Sequence, residues 1–307
     1  VLAYVLRRLA SAIPTLFIII TLSFFLMRVA PGGPFDLERP LDPKVMENLL
    51  RVYQLDKPLI EQYWMYLVNL SRLDFGPSFF WRDFTVTELF ANALPVSIRL
   101  GLIALTLAVF IGGLLGTIAA FRQNSGADYA VMAVATAGIT IPNFVVGPIL
   151  QIVFGLWLAW LPVGGWNDGA IRNVILPAVV LAFPQIAIVA RLTRASLIEV
   201  LRSNPIRTLR ANGLPTGMIV RHALRNAALP VVSYLGPAAA ALLTGSVVIE
   251  YVFAIPGVGR YFVEGALNRD YTLVMGTVVL IAVFIVLLNL LVDVLYAVID
   301  PRVRLGS

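Results

Sequence analysis

Long uncharged stretches, separated by short charged ones, set the pattern of this chain. The first runs from about Leu9 to Met27, with no charged residue between Arg8 and Arg28. At about 1.5 Å per residue such a helix nearly fills the ~30 Å hydrocarbon layer of a bilayer. A signal peptide is the competing reading. The apolar run is too long for one, and Val29-Ala30-Pro31-Gly32-Gly33-Pro34 is a poor cleavage site, so the stretch reads as a retained span. Further spans are predicted at about Leu100–Phe121, Ala130–Ala159, Asn173–Ala190, Ala227–Ile249 and Thr272–Val294. Within the second, Gly112, Gly113 and Gly116 permit close helix contact. Pro142 and Pro148 predict irregularities in the third, which ends in the polar turn Pro162-Val163-Gly164-Gly165-Trp166-Asn167-Asp168.

Two segments break this pattern. Residues 30–98 carry most of the acids and both lysines and read as an external insertion. Short helices are predicted there at Pro43–Tyr53 and Pro58–Leu73, with Gly76-Pro77 and Pro95 as turns or element boundaries. Residues 191–226 form the second segment, rich in arginine. The fold class is thus all-α: one polytopic membrane domain over 1–307, with about six transmembrane helices and an external segment between the first two.

Composition sharpens this reading. Hydrophobic residues make up 59% and charged residues 13%, against about 25% charged in soluble domains. A net charge of +6 raises the question of nucleic acid. The positions of the charges answer it. Arg7, Arg8, Arg122, Arg302, Arg304 and the arginines of 191–226 fall on one side of six alternating spans. The other side carries 11 basic and 13 acidic residues. Such a bias puts both termini in the cytoplasm and calls for no nucleic-acid partner.

The arginine-rich loop reads RLTRASLIEVLRSNPIRTLRANGLPTGMIVRHALRN. A helix is expected to continue the fourth span to Ser203. Asn204 then suits an N-cap, Pro205 the first helical position and Gly213 the C′ position. Ile206, Leu209 and Ala211 supply apolar contacts, and an amphipathic helix leads back to the fifth span. A helix of this kind either sits in a groove of a cytosolic partner or lies on the membrane surface.

At this loop the chain resembles the permease subunits of binding-protein-dependent, ATP-driven importers. Their pattern is Glu-Ala-Ala, three residues, Gly, nine residues and a final apolar-x-Leu-Pro. The matching pieces here are Arg207-Thr208-Leu209, Arg210-Ala211-Asn212, Gly213 and Ala227-Ala228-Leu229-Pro230. Arg-Thr at the first two positions is usual in the peptide-importer branch, whereas Leu209 and Asn212 depart from it. The resemblance continues through LRR at 6–8, RVAPGGPF at 28–35, YQLDKP at 53–58 and LDFGPSF at 73–79. It includes AIPGVGRYF at 254–262, NRDY at 268–271 and VDVLYAVIDPRVR at 292–304. The best match is the B-type permease subunit of oligopeptide importers, and dipeptide importers use a closely similar subunit. Nickel and glutathione importers use similar subunits.

That resemblance implies a type I importer permease fold in a bacterial cytoplasmic (inner) membrane. It implies four kinds of partner: a second homologous permease, two cytoplasmic ATPase domains, an extracytoplasmic solute-binding protein and a peptide substrate. Ile206, Arg207, Thr208, Leu209, Arg210 and Gly213 would form the coupling helix within 191–226. Pro256, Gly257 and Gly259 would belong to the receptor-facing or gating surface.

The residues themselves exclude several chemistries. Neither Lys44 nor Lys57 follows a glycine, so there is no P-loop, and ATP with Mg²⁺ would have to bind a partner. With no cysteine, no H-E-x-x-H and no G-x-S-x-G, neither a metal site nor an enzyme is indicated. An ion-coupled carrier would need charges inside its pathway. Glu250 and Asp293 are the candidates, with helix capping or pairing at an interface as the alternative. Asn143, Gln151, Gln185 and Asn289 would either meet a peptide backbone or stabilise helix contacts.

Overall fold

The structure is a computed structural model that describes residues 2–29, 33, 35, 42–81 and 83–299, with side chains excluded at 2–7, 244–245 and 292–299. Most of the 30–41 stretch, the Asp293 side chain, Arg302 and Arg304 therefore lie outside the described residues.

The described residues are almost entirely helical. In chain order the helices are α1 (Leu2–Val29), α2 (Pro43–Val52), α3 (Leu59–Ser71), α4 (Val86–Phe121), α5 (Gly126–Thr140) and α6 (Asn143–Leu150). After a π-helical turn at Gln151–Trp157 come α7 (Ile171–Leu201), α8 (Asn204–Ala211), α9 (Thr216–Ala227), α10 (Leu229–Val252), α11 (Val258–Leu267) and α12 (Tyr271–Ile299). Four stretches are long and apolar enough to cross a membrane: Arg8–Val29, Val86–Phe121, Ile171–Leu201 and Tyr271–Leu291. Two bent pairs, α5 with α6 and α9 with α10, raise the number to six if each is one span. The chain is an all-α, multi-pass membrane protein.

One expectation needs correction. The helix expected from Leu100 starts at Val86 and runs through Pro95, which was expected to be a boundary. Val86, Leu89, Phe90 and Ala93 are buried before the proline, and Leu100, Ala104 and Ala108 after it. That continuous packed stripe outweighs the one backbone hydrogen bond a helical proline removes. The third expected span breaks at Pro142, where an irregularity was expected. It bends by 106° between α5 and α6, where Ile141 is extended (ψ 120°) ahead of Pro142. Proline disfavours the helical region in the residue before it, so the break falls there. The amphipathic helix expected to lead back into the fifth span is α9, and it meets α10 at a 43° bend at Ala228, just ahead of Leu229-Pro230.

The chain divides into two compact units. Unit 1 comprises Ile98–Ile255 and resumes at Leu288; unit 2 comprises Leu2–Ser97 and Pro256–Leu287. Within unit 1, α7 is central and packs against α5, α6, α9 and α10. It also approaches α4 closely at two glycines. A Cβ on Gly112 would sit 2.7 Å from the Ile186 carbonyl, and one on Gly116 would strike the Ala190 carbonyl and Thr193. Gly113 faces open space, so only two of the three candidate glycines make the contact.

Unit 2 is held differently. Phe24, Phe35, Tyr66, Phe79, Tyr271 and Met275 form one core, and Val86, Leu89, Phe90, Ala93, Val258 and Leu273 a second. Asp270, fully buried, precedes α12. Its carboxylate accepts from the Ser78 hydroxyl and from the backbone N–H groups of Phe79 (2.9 Å), Phe80 (3.1 Å) and Leu273 (3.1 Å). Asp270 thus caps α12 and holds the turn after α3 at once.

Candidate functional site

The loop between α7 and α10 is built on one apolar anchor. The chain leaves α7 after Leu201, turns at Ser203 and enters α8 with Pro205 near its start. Ser203, not Asn204, is the cap residue, and no side chain bonds there. Ile206 is 1% exposed and packs with Leu197, Ile219, Ala223, Ala227 and Ala120, with Leu209 and Leu214 alongside. Burying an isoleucine of this kind is worth about 1.5–3 kcal/mol. It seats an otherwise polar eight-residue helix, too short to persist alone.

Because Ile206 faces inward, the opposite face of α8 is free of its own chain. Arg207, Thr208 and Arg210 are exposed. So is Ala211, expected to be an apolar contact; the helical turn places it away from Ile206. The helix stops in two bonds. Gly213 N–H donates to the Arg210 carbonyl (3.0 Å), and Leu214 N–H to the Leu209 carbonyl (3.2 Å). This pair is the Schellman arrangement, which needs a left-handed residue at C′. Gly213 supplies φ +72°. Nothing lies within 4 Å of where its Cβ would be, so the requirement is conformational and not one of space.

The structure reveals a second feature that sequence reasoning missed. Asp128, buried near the start of α5, receives two hydrogen bonds from Arg194 on α7: one from Nε and one from Nη2 at 2.7 Å. The same carboxylate accepts from Asn124 N–H (2.9 Å), and the Ser125 hydroxyl caps α5. Nearby, Arg202 donates to Gln123 (2.9 Å). The short turn before α5 is therefore tied twice to the end of α7 that carries α8. Ser125-x-x-Asp128, a cap pattern before an apolar run, was the available sequence signal; its arginine partner lies 66 positions away.

The remaining candidates have separate settings in their own units. Gln185 is buried and accepts from the Tyr234 hydroxyl at 2.7 Å. Glu250 is fully buried. Asn143, at the first position of α6, has a buried amide oxygen without a partner among the described residues. Gln151 is committed structurally, donating to the carbonyls of Val163 (2.7 Å) and Val252 (3.1 Å). Asn289 is exposed on α12, and the Asp293 side chain is outside the described residues. Gly257 and Gly259 are buried and Pro256 is half-buried. This turn is packed inside unit 2, where Val258 N–H donates to the Ser97 hydroxyl (3.0 Å). Among the described residues no three His, Cys, Asp or Glu side chains are grouped to hold a metal ion.

Comparison with known proteins covers the whole chain. The family model described as "Binding-protein-dependent transport system inner membrane component" matches residues 112–305, and the model of the N-terminal part of such components matches residues 1–99. The chain is 54% identical over 304 residues, 99% of both chains, to the oligopeptide transport system permease protein OppB of Salmonella typhimurium. It is 53% identical, at the same coverage, to OppB of Escherichia coli strain K12. It is also 45% identical over 303 residues, 98% of both chains, to the dipeptide transport system permease protein DppB of Bacillus subtilis.

Proposed function

The chain belongs to the family of binding-protein-dependent transport system inner membrane components, and from that premise we propose that it is the B-type pathway subunit of an ATP-driven oligopeptide importer. The observation that carries this reading is the 54% identity to an oligopeptide permease over nearly the full length of both chains. Similarity to the dipeptide permease is lower, at 45%. The subunit is not an enzyme. ATP and Mg²⁺ belong to two ATPase domains on the cytoplasmic side. A second, homologous permease completes the pathway, and an extracytoplasmic binding protein delivers the peptide.

In this reading the six spans have the type I importer fold. Both termini and residues 191–226 face the cytoplasm, and residues 30–98 lie outside. The exposed Arg207, Thr208 and Arg210 of α8 dock in an ATPase groove that presents carboxylates. Ile206 and Leu209 position that face from behind and do not touch the partner. Gly213 fixes where the helix ends. When the ATPases close, α8 is pushed, and α7 transmits the displacement as a rigid rod. The Asp128–Arg194 pair carries α5 along with it. Neutral polar groups such as Gln185 and Asn143 suit a pathway for peptide backbones; Glu250, Asn289 and Asp293 serve helix contacts. Pro256, Gly257 and Gly259 shape the entry to α11, whose outer face contributes to the receptor-facing surface.

The test has two parts. Gentle solubilisation and isolation through a C-terminal tag should recover a companion permease with two ATPase copies, identified by mass spectrometry. Replacing Arg207 and Arg210 together by Glu should then uncouple peptide-stimulated ATP hydrolysis while leaving the fold intact. Intact preparations repeatedly lacking any ATPase would overturn the assignment.

A further inference from the structure

Unit 2 contains a cavity of about 170 Å³. Its apolar wall includes Phe24, Phe75, Phe79 and Met275. Its polar wall is Arg28, Gln62 and Tyr66, with Asn69 and Asp74 at the exposed rim. Three buried polar atoms on that wall have no hydrogen-bond partner among the described residues: Arg28 Nε, Gln62 Oε1 and the Tyr66 hydroxyl. Gln62 is 7% exposed and Tyr66 8%. Buried polar groups are rarely left unpaired, because desolvation without a new bond costs stability. All three belong to residues that line this one cavity, a concentration that calls for an occupant.

The chemistry of the three groups describes that occupant. The Gln62 amide nitrogen donates to the carbonyls of Leu55 (3.2 Å) and Lys57 (2.7 Å). Its oxygen is thereby fixed as an acceptor seeking an N–H or O–H. Burial pushes the Tyr66 hydroxyl above its ordinary range, so it stays protonated and able to donate. The Arg28 guanidinium lies over the rings of Phe24 (5.1 Å) and Tyr271 (5.7 Å), which orients it and leaves its Nε without an acceptor. Two donors, one cationic, with an acceptor beside them match a carboxylate next to an N–H. Water, at about 30 Å³ a molecule, would find few partners on the aromatic and thioether side. An amino-acid side chain would.

We propose that this cavity binds the carboxyl-terminal residue of a short peptide. Arg28 and the Tyr66 hydroxyl hold the carboxylate, Gln62 Oε1 accepts from the backbone N–H, and the terminal side chain lies against the aromatic wall. Asp74, already accepting from Gly76 N–H (2.9 Å), stands at the rim and disfavours a second acidic group there. For its ligand class this inference rests on the transport reading; it adds a peptide site on this subunit, apart from that of the delivering protein.

The experiment uses the assembled complex in lipid nanodiscs, without the external binding protein. Tritiated trialanine is the probe and trialanine amide the competitor. Saturable trialanine binding is expected, with the amide weaker by about ten-fold or more, as for loss of a charge-assisted bond. Arg28→Gln should lose about ten-fold in affinity, Arg28→Lys should recover part of it, and Tyr66→Phe should lose about three- to ten-fold. Retention of both ATPases by each variant verifies folding. Equal competition by the amide, or unchanged affinity in Arg28→Gln and Tyr66→Phe, would overturn the site. Preference for an amidated peptide with an internal aspartate would overturn it in favour of a protein side chain. Uptake into proteoliposomes with the binding protein is read separately. Import without this binding sinks the cavity site alone; binding without import sinks the transport role alone.

Discussion

Each unit contains a buried aspartate that ties distant parts of the chain together, and the two are neutralised in different ways. Asp128 in unit 1 meets a cation, Arg194, through two hydrogen bonds. Among the described residues, Asp270 in unit 2 meets neutral donors: the Ser78 hydroxyl and three backbone N–H groups, with the Thr272 hydroxyl at 3.3 Å. An ion pair links two side chains and can be removed whole. For a carboxylate held mainly by backbone N–H groups, deleting a partner side chain relieves only part of the loss. The first arrangement suits a joint between helices that move together, the second a fixed junction.

The largest effect should come from the fixed junction. Asp270→Ala strands several buried donors, and the melting midpoint in detergent is expected to fall by about 10 °C. Asp270→Asn keeps one acceptor oxygen and should fall by about half as much. A wild-type midpoint for Asp270→Ala would break the contrast at once. Next is the ion pair. Asp128→Ala leaves the Arg194 charge unpaired and should lower the midpoint by about 5 °C. Removing both partners, as Asp128→Ala with Arg194→Ala, should cost less than the two single losses added. Strict additivity in that double-mutant cycle would mean the two side chains do not act as a unit.

Smaller effects sharpen the unit 1 side. Gly116→Ala drives a methyl group into α7, an overpacking that should lower the midpoint by about 3–4 °C. Gly113→Ala meets open space and gains helix propensity, so a rise of about 1–2 °C is expected. Equal responses at the two positions would show that the α4–α7 contact is looser than described. Thermal scans of the purified complex, with partner retention as a control, read all of these.

Much of this was legible in the chain because one-dimensional patterns are read locally. Arg8 and Arg28 bracket the first span, and Asn-Pro with a later Gly brackets α8, missing the cap by one residue. What failed was where packing overrode local chemistry. Pro95 reads as a break, yet a continuous buried stripe carries α4 through it. Asn143, Gln151 and Gln185 looked alike as polar groups within spans, and nothing in their spacing told that Gln185 would be met by Tyr234. Ile206 and Arg207 are neighbours in α8, but only burial separates the anchor from the exposed face.

The sequence by itself determined the solvent and the presence of several apolar crossing segments, because apolar runs act through bulk transfer energies that need no partner. It also determined the family, through ordered motifs along the whole length. Only the tertiary structure decided which glycines admit a neighbouring helix, which aspartate meets a cation and which face of α8 is left open. Those properties depend on residues far apart in the chain arriving at contact distance, and no local pattern encodes that distance.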